Sequence, residues 1–386
     1  MNEWKKVKLG DCISTKKGFA FKSALYTNCG VPVVRVSDFT LDSVADNDLV
    51  YYPHAEKDRY DEYVLNEGDV LIQTVGSWQY NPNSVVGKVV RVPYYHKGSL
   101  LNQNIVKIIP NNGYNNAFIF YRLKCRDFAG HVLGEARGAA NQASITLDTI
   151  KRFSFDCPLL STQQRIATIL SRYDSLIENY RKQIKLLEEA AQRLYKEWFI
   201  DLRFPGHENT NIIDGVPEGW EKKSITDVLE IKYGKDHKLL KEGTIPVYGT
   251  GGIMRYVEKS LFTGESVLIP RKGSLNNIML VGGTFWTIDT MFYSIPKENN
   301  VAKIVYFYLK GVDMYSFNIG AAVPSMTVNI LSGMKLLVPN EDVKNKFETI
   351  ASKYFIRMHS LQSQLRLLTE ARDRLLPKLM SGEIEI

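Results

Sequence analysis

Two loops of this chain carry the side-chain types that bind base edges and the nucleic-acid backbone. The first begins at Gln73 and the second at Arg271, and each follows a strand-like apolar run. Arginine and lysine hydrogen-bond to guanine, asparagine and glutamine to adenine, and serine or threonine to phosphate. We predict that some of these loop residues contact a duplex, the plain alternative being solvated loops. The candidates are Gln73, Thr74, Ser77, Gln79, Tyr80 and Asn81, and in the second loop Arg271, Lys272, Ser274, Asn276 and Asn277.

Weaker candidates with the same chemistry lie in other polar segments. Arg35 follows the apolar run that ends near Val34, and the second half of the chain offers Tyr248 and Thr250. Arg137 has the charge to hold a phosphate. Asn102 and Gln103 either read adenine or cap the strand that follows them, and both roles stay open at this point.

Composition sets outer limits on the function of such loops. The net charge of +7 over 386 residues suits a polyanionic partner without requiring one. The four cysteines lie far apart, with no zinc-type spacing. The first residues lack the apolar stretch of a signal peptide, and no apolar run reaches the ~18–20 residues of a membrane span. We therefore expect a soluble, cytoplasmic protein without membrane contact.

The loops belong to a repeated frame. Three pairs share one shift of 216 positions, namely Trp4 and Trp220, Asp11 and Asp227, and Gly18 and Gly234. Further matches follow at other shifts, pairing Gly68–Ile72 with Gly264–Ile269, Phe118–Leu123 with Ile304–Leu309, and Gly138-Ala-Ala with Gly320-Ala-Ala. Between these landmarks the two halves diverge. Two similar frames with different contents predict one scaffold that presents two different surfaces.

Each half ends in a long heptad segment, and one shift of 181 positions aligns the two without a gap. Proline is absent from both segments between the first turn and Leu376. A seam kept over five heptads predicts a left-handed coiled coil, with two separate amphipathic helices as the alternative. The seam consists of Ile166, Leu170, Tyr173, Ile177, Tyr180, Ile184, Leu187, Ala191, Leu194 and Trp198, and then of Phe347, Ala351, Tyr354, Met358, Leu361, Leu365, Leu368, Arg372, Leu375 and Leu379, where only Arg372 is not apolar.

These observations predict an α+β protein with two similar globular domains and two long helices. We expect strands at Val31–Val36, Val70–Gln73 and Asn104–Ile109, and a helix at Asn116–Phe128. The predicted parts are residues 1–158 and 220–339 as the two domains, 159–203 and 340–386 as the helices with the C-terminal tail, and 204–219 as a linker rich in proline, glycine and asparagine.

With this layout, the chain resembles the specificity subunit of type I restriction-modification systems. The resemblance rests on the repeated layout over the whole chain, on the restart at Pro217–Trp220, and on the segments Pro158–Ile166, Leu186–Leu194 and Leu375–Ile384. It implies two target-recognition domains held apart by an antiparallel helix pair and related by a pseudo-twofold axis. Each domain would read one half of a split, asymmetric site in double-stranded DNA.

The resemblance also implies partners. Two methyltransferase subunits would bind S-adenosylmethionine and methylate adenine, and a restriction subunit would use ATP and Mg²⁺. The present chain would bind no cofactor of its own. Helices of about 40 residues extend ~60 Å, enough to separate two readers by one helical turn of DNA, ~34–36 Å. We therefore expect helix length to determine the gap between half-sites.

The chief alternative is an enzyme, either an adenine methyltransferase or a nuclease. Gly249–Gly252 is an isolated glycine cluster that a turn explains, and Asn81–Ser84 lacks the second proline and the aromatic residue of an amino-methyltransferase motif. Asp58, Asp61 and Glu62 do not follow the metal-binding pattern of a nuclease. We therefore predict no catalytic and no metal-binding residues. A coiled-coil scaffold that does not read DNA, and a specificity subunit of another restriction class, remain as further alternatives.

Overall fold

The computed structural model describes residues 4–78, 84–139, 142–320 and 322–386, with the backbone alone at 55, 57, 58 and 139. The chain divides into two compact units. Unit 1 comprises Met1–Asn179 and Gln364–Ile386, and unit 2 comprises Tyr180–Ser363. Each unit therefore contains part of both long helices.

Unit 1 is built on an antiparallel sheet in the order β2-β9-β5-β7, and a second sheet in the order β4-β3-β8 in which β3 and β8 run parallel. All four residues of β5 are buried, as its continuous apolar run predicts. The strands are β1 (Lys5–Lys8), β2 (Ile13–Lys17), β3 (Val31–Val34), β4 (Val50–Tyr52), β5 (Val70–Gln73), β6 (Val75–Gly76), β7 (Val89–Arg91), β8 (Leu100–Leu101), β9 (Ile105–Pro110), β10 (Arg137–Ala139), β11 (Gln142–Ser144) and β12 (Ser154–Cys157). The helices are α1 (Leu9–Cys12), α2 (Asn116–Leu123), α3 (Arg126–Glu135), α4 (Leu147–Arg152) and the first part of α5 (Leu160–Tyr195).

Unit 2 has the corresponding sheets β16-β23-β20-β21 and β18-β17-β22-β19, and β17 runs parallel to β22 as β3 does to β8. Its strands are β13 (Ile212–Ile213), β14 (Val216–Pro217), β15 (Glu221–Ser224), β16 (Leu229–Tyr233), β17 (Glu242–Gly249), β18 (Gly252–Val257), β19 (Phe262–Thr263), β20 (Ser266–Pro270), β21 (Met279–Val281), β22 (Thr284–Thr287), β23 (Met291–Pro296) and β24 (Lys335–Val338). Its helices are α6 (Ile225–Val228), α7 (Ala302–Lys310), α8 (Val328–Gly333) and the first part of α9 (Glu341–Met380).

The predicted repeat is confirmed at the level of backbone pairing. In unit 1 the first strand pairs with the last strand of the domain, β1 with β12, and in unit 2 β15 pairs with β24. Gly18 and Gly234 lie at matching close approaches of the chain. A Cβ at Gly18 would stand 1.9 Å from the carbonyl oxygen of Asn102, and one at Gly234 would stand 2.0 Å from that of Ile288. Backbone packing therefore requires glycine in both halves.

Some predicted boundaries were wrong in detail. The strand that begins at Val31 ends at Val34, where a 3-10 turn takes over, and the strand predicted from Asn104 is Ile105–Pro110. The helix predicted at Asn116–Phe128 is two helices. The chain leaves the helical conformation at Cys125, which is extended and precedes α3. Two residues, Lys124 and Cys125, therefore separate the end of α2 from the start of α3.

The two long helices and their seam are confirmed. None of the seam positions is exposed, and the rest of each helix is largely polar. The last of them in the first segment, Trp198, lies in a π-helical turn, Lys196–Ile200, that directly follows α5. In unit 1 the start of α5 packs with the end of α9, since Ile166 and Leu170 share a core with Leu379. In unit 2 the end of α5 packs with the start of α9, through Ala191 and Phe347. The helices therefore run antiparallel.

The segment predicted as a linker has local structure of its own. Phe204 is buried against Trp220, with ring centroids 4.7 Å apart. Strands β13 and β14 form a short hairpin, and its turn uses positive φ angles at Asp214 and Gly215. The linker thus begins inside the core of unit 2.

Candidate nucleic-acid interface

The turn after β5 in unit 1 is held from inside by Gln73. The Gln73 side chain is completely buried, and its Nε2 donates to the carbonyl oxygens of Val75 and Ser84, both at 2.9 Å. A buried side chain that bridges the two ends of a loop positions that loop. The prediction that Gln73 itself offers an edge to DNA is therefore corrected. Gln79, Tyr80 and Asn81 lie outside the described residues.

Thr74, Ser77 and Arg137 are brought together around a small sheet. Strand β6 pairs with β11, and β11 pairs with β10, which begins at Arg137. The Thr74 hydroxyl donates to the carbonyl oxygen of Asn104 at 3.0 Å, and the hydroxyls of Ser77 and Ser84 are 2.9 Å apart. Because Thr74 and Ser77 are nearly buried whereas Arg137 is exposed, Arg137 is the one of these three that faces solvent.

The remaining unit 1 candidates are divided between structural and exposed positions. The Arg35 guanidinium is half-buried, and it binds the Asp38 carboxylate and the carbonyl oxygen of Asp48, each at 2.9 Å. The Asn102 side chain donates from Nδ2 to the Tyr26 hydroxyl at 3.4 Å, and it is the backbone carbonyl of Asn102 that accepts from the Ile105 amide at 3.2 Å, so neither of the two roles considered above is favoured. Gln103 beside it is exposed. Arg137 and Gln103 are therefore the two described candidates of unit 1 with exposed side chains.

Arg271 in unit 2 occupies the backbone position that Thr74 occupies in unit 1. The Arg271 amide donates to Thr290 and its carbonyl accepts from Met326, and Thr74 makes the equivalent bonds with Asn104 and Ile145. The predicted correspondence of the two loops is thus confirmed. The sequence Gly76-Ser77 matches Gly273-Ser274 within it.

The side chains on this shared turn differ between the units. The Arg271 guanidinium lies 5.4 Å from the ring centroid of Tyr233, and its Nη1 donates to the carbonyl oxygen of Asp289 at 2.8 Å. Lys272 and Ser274 are exposed. At this turn, unit 2 therefore exposes the ammonium group of Lys272 and the hydroxyl of Ser274. In unit 1, the hydroxyl groups of Thr74 and Ser77 are nearly buried.

The two asparagines of the second loop tie it to its neighbours. Asn277 Nδ2 donates to the carbonyl oxygen of Thr250 at 2.6 Å, which brings the predicted segment at Tyr248 next to the turn. Asn276 Nδ2 donates to the Asp313 carboxylate at 3.1 Å, and Asn276 Oδ1 accepts from the amide of Met314 at 2.8 Å. Both amides are hydrogen-bonded within the protein, but Asn276, unlike Gln73, is exposed. Burial raises the pKa of Tyr248 and keeps its phenol neutral.

The loop after Met314 was missed by sequence reasoning. It runs beside the turn, because the Gly273 amide donates to the carbonyl oxygen of Pro324 at 2.9 Å. The sequence did mark the Gly320-Ala-Ala match within it. It gave no sign that the neighbouring apolar side chains are exposed, since such a run equally fits a buried segment.

In each unit, a charged cluster joins the globular domain to the long helices. In unit 1, Arg372 of α9 lies 2.8 Å from Asp174 Oδ1 and 3.1 Å from Asp42 Oδ2, and Lys124 lies 2.7 Å from Asp42 Oδ1. We call Asp42, Asp174 and Arg372 the unit 1 anchor. Burial raises the pKa of Asp42, but Lys124 and Arg372 outweigh it and leave the pKa below its ordinary value. Arg372, the one residue that breaks the apolar seam, is thus explained.

The corresponding cluster in unit 2 centres on Lys303. Lys303 Nζ lies 2.6 Å from Glu265 Oε1 and 2.7 Å from Glu348 Oε1, and only 4% of the lysine is exposed. We call these three residues the unit 2 anchor. It joins helix α7 and Glu265, the residue just before β20, to helix α9, as the unit 1 anchor joins its domain to α5 and α9.

Within the ranges given above, no group of three or more histidine, cysteine, aspartate or glutamate side chains is placed to hold a metal ion. In the same part of the chain, no helix combines the length and apolarity that a membrane crossing needs.

Comparisons with known proteins agree on one kind of relative. Residues 1–189 and 217–361 match the family described as type I restriction modification DNA specificity domain. The chain is 26% identical over 324 residues to the MjaIX type I restriction enzyme specificity subunit of Methanocaldococcus jannaschii, covering 74% of this chain and 73% of that protein. It is 20% identical over 489 residues to the HindI specificity subunit of Haemophilus influenzae, with both chains covered completely.

A solved structure shows the same fold. The S subunit of a type I restriction-modification system from M. genitalium superposes with a TM-score of 0.63, covering 98% of this chain and 96% of that one. The sequence identity is 18%, so the likeness concerns the fold.

Proposed function

The chain belongs to the type I restriction modification DNA specificity domain family, and we propose that it reads a bipartite, asymmetric DNA site for partner enzymes. Unit 1 would read one half-site and unit 2 the other. The observation that carries this proposal is the shared turn, which holds Thr74 and Arg271 by the same backbone bonds but presents different side chains. A common frame with different exposed groups is what two readers of unlike half-sites need.

The chemistry is assigned to partner subunits. Two methyltransferase subunits would bind S-adenosylmethionine and methylate adenine in the site. A restriction subunit would supply cleavage, with ATP and Mg²⁺. The present chain would contribute sequence reading and the spacing of the two half-sites. The relatives named above are specificity subunits, which supports this division of labour.

The long helices are proposed to determine the gap between half-sites. Removing one heptad from each helix, Ile177–Gln183 and its counterpart Met358–Gln364, shortens each rod by ~10 Å. At 3.4 Å per base pair, the preferred gap should shorten by ~3 base pairs. The half-site sequences should not change, because both domains are intact. They therefore serve as the internal control.

The test is to purify the chain with the methyltransferase encoded beside it and to map methylated adenines across a genome. A split motif with a constant gap supports the proposal, and the heptad deletion should yield the same half-sites with a shorter gap. Methylation without a split motif would contradict it. A scaffold that does not read DNA is distinguished by binding assays, because phosphate contacts make affinity fall steeply with salt.

A further inference from the structure

Unit 2 exposes four large apolar side chains within nine residues. The exposed fractions are 43% for Tyr315, 41% for Phe317, 63% for Ile319 and 53% for Val323. We call these four residues the apolar loop. A cluster of exposed apolar groups on one surface loop is a mark of a binding site rather than of packing.

The described backbone around these side chains is tied down by hydrogen bonds. Asn318 Oδ1 accepts from the amides of Gly320 and Ser325, each at 2.8 Å, and Asn318 Nδ2 donates to the carbonyl oxygen of Gly320 at 3.1 Å. The Ile319 amide donates to Ser325 at 3.2 Å. Described residues that are held in this way lose little conformational entropy on binding.

The apolar loop lies against the turn that carries the exposed polar groups of unit 2. The Tyr315 hydroxyl donates to the carbonyl oxygen of Gly273 at 3.3 Å, and the Gly273 amide donates to Pro324 at 2.9 Å. Lys272 and Ser274 flank Gly273 and are exposed. The apolar loop therefore lies next to Lys272 and Ser274, whose ammonium and hydroxyl groups can bind phosphate.

The repeat supplies an independent comparison for this loop. Ile319 directly precedes Gly320, as Arg137 directly precedes Gly138, and both glycines belong to the Gly-Ala-Ala match. A Cβ at Gly138 would lie 1.9 Å from the carbonyl oxygen of Gln142, and one at Gly320 would lie 1.9 Å from that of Val323, so neither position has room for a side chain. At the same place in the frame, unit 1 exposes a guanidinium and unit 2 exposes a branched alkyl group.

From this we infer that Ile319 and Val323 contact thymine 5-methyl groups in the half-site that unit 2 reads. The inference rests on the proposed function and specifies its base contacts. On the major-groove edges of DNA, the thymine methyl is the group that an alkyl side chain recognises, whereas arginine recognises guanine or a phosphate. Lys272 and Ser274 then hold the phosphates that flank these thymines.

The experiment removes the methyl group from the DNA. After the split motif is known, duplexes are made with deoxyuridine in place of each thymine of the motif in turn, and their affinity for the complex with the methyltransferase is measured. At one or more positions in one half-site, the wild-type complex should bind deoxyuridine about fourfold more weakly, the effect of burying one methyl group. Ile319→Ala or Val323→Ala should bind the two duplexes at that position equally.

Leu25→Ala is the matched control, because Leu25 is an exposed leucine of unit 1. This variant should keep the wild-type discrimination against deoxyuridine. The inference is overturned if the wild-type complex binds every deoxyuridine duplex as tightly as its thymine counterpart, or if the discrimination persists in both alanine variants. It is also overturned if the motif contains no thymine. Loss of sequence-specific binding to any duplex would instead contradict the proposed function itself.

Discussion

The two units attach their recognition domains to the long helices at matching positions. Where one unit buries charged side chains, the other has apolar ones. In the unit 1 anchor, Asp174 of α5 binds Arg372 of α9 and accepts a hydrogen bond from the Tyr121 hydroxyl. The shift of 181 positions between the helices pairs Asp174 with Phe355 and Arg372 with Ala191. Where unit 1 buries charges, unit 2 therefore has an aromatic ring and a methyl group.

The aromatic contacts of unit 2 at this place are extensive. The match of α2 with α7 pairs Tyr121 with Phe307, whose ring centroid lies 5.9 Å from that of Phe355. The neighbouring Tyr306 contacts Phe355 edge-on at 5.8 Å. An aromatic cluster thus replaces the hydrogen-bonded charges of unit 1.

At the unit 2 anchor the difference is reversed, since unit 2 is charged there and unit 1 is apolar. Lys303 and Glu348 of the unit 2 anchor correspond to Ala117 and Ala167 in unit 1, and both alanines line one groove there. Each unit therefore buries a charged cluster where the other is apolar. A buried charge without its partner is costly, whereas an apolar pair of suitable volume is tolerated. The frame is shared, but each recognition domain fits its own stretch of helix.

The largest test of this comparison is Arg372→Ala, which gives α9 the residue that α5 has at Ala191. Asp42 and Asp174, whose side chains are only 16% and 15% exposed, would lose their shared partner. We expect the free energy of unfolding to fall by about 3–5 kcal/mol, measured by urea denaturation. Arg366→Ala is the control. Arg366 forms an exposed pair with Glu370, so its loss should cost less than about 1 kcal/mol. Equal losses in the two variants would contradict the role of the anchor.

The second test transplants the lysine–glutamate pair of unit 2 into unit 1. Ala167→Glu alone places a carboxylate at a buried position without a partner, and it should destabilise the chain. Adding Ala117→Lys should recover part of the loss, with a coupling free energy of about 1–3 kcal/mol in a double-mutant cycle. Strictly additive effects would show that these positions do not meet as Lys303 and Glu348 do.

A smaller effect is expected from Tyr121→Phe, which makes α2 resemble α7 at Phe307. The variant removes the hydroxyl that donates to Asp174 and keeps the ring. A hydrogen bond to a charged group contributes about 1.5–3 kcal/mol, so the free energy of unfolding should fall by roughly the lower value. Tyr94→Phe, at a tyrosine that is 72% exposed, should change nothing measurable. If Tyr121→Phe stabilised the chain, the hydrogen bond from Tyr121 to Asp174 would not contribute to stability, and a phenylalanine would fit unit 1 as it fits unit 2.

Local patterns in the sequence predicted most of the fold. Heptad spacing was sufficient for the seam, because burial along a helix follows from period alone. The repeated glycines marked close approaches of the backbone. The break at Cys125 was missed because neither proline nor glycine occurs between Asn116 and Phe128 to mark it.

The site was less predictable, because the direction of a side chain depends on contacts far away in sequence. Gln73 has the chemistry of a base reader, yet it bridges Val75 and Ser84 inside the domain. The Arg372 partner Asp42 comes from the other end of the chain. No local pattern connects such pairs, so exposure and pairing had to come from the folded structure.

The smallest expected effect is the pH dependence of the stability that the unit 1 anchor contributes. It is measured as the difference in the free energy of unfolding between the wild type and Asp42→Asn. Burial raises the pKa of Asp42, but Lys124 and Arg372 bring it below the ordinary value of about 4. A lowered pKa in the folded state contributes stability above the unfolded pKa, and that contribution is lost as pH falls through the folded pKa. The wild type should therefore exceed Asp42→Asn in urea stability at pH 6, and the difference should narrow below about pH 4.

The Asp42→Asn variant is needed because a carboxylate of unit 2 also contributes stability that is lost as the pH falls. Burial raises the pKa of Glu298, but Lys223 and Lys344 outweigh it and bring the pKa below its ordinary value. The acid dependence of the wild type alone therefore mixes both units, and only the difference from Asp42→Asn isolates the unit 1 anchor. Tyr94→Phe, which changes no acidic group, should keep a constant difference from the wild type. A difference between wild type and Asp42→Asn that stays constant down to pH 3 would show that Asp42 is not held ionised by Lys124 and Arg372.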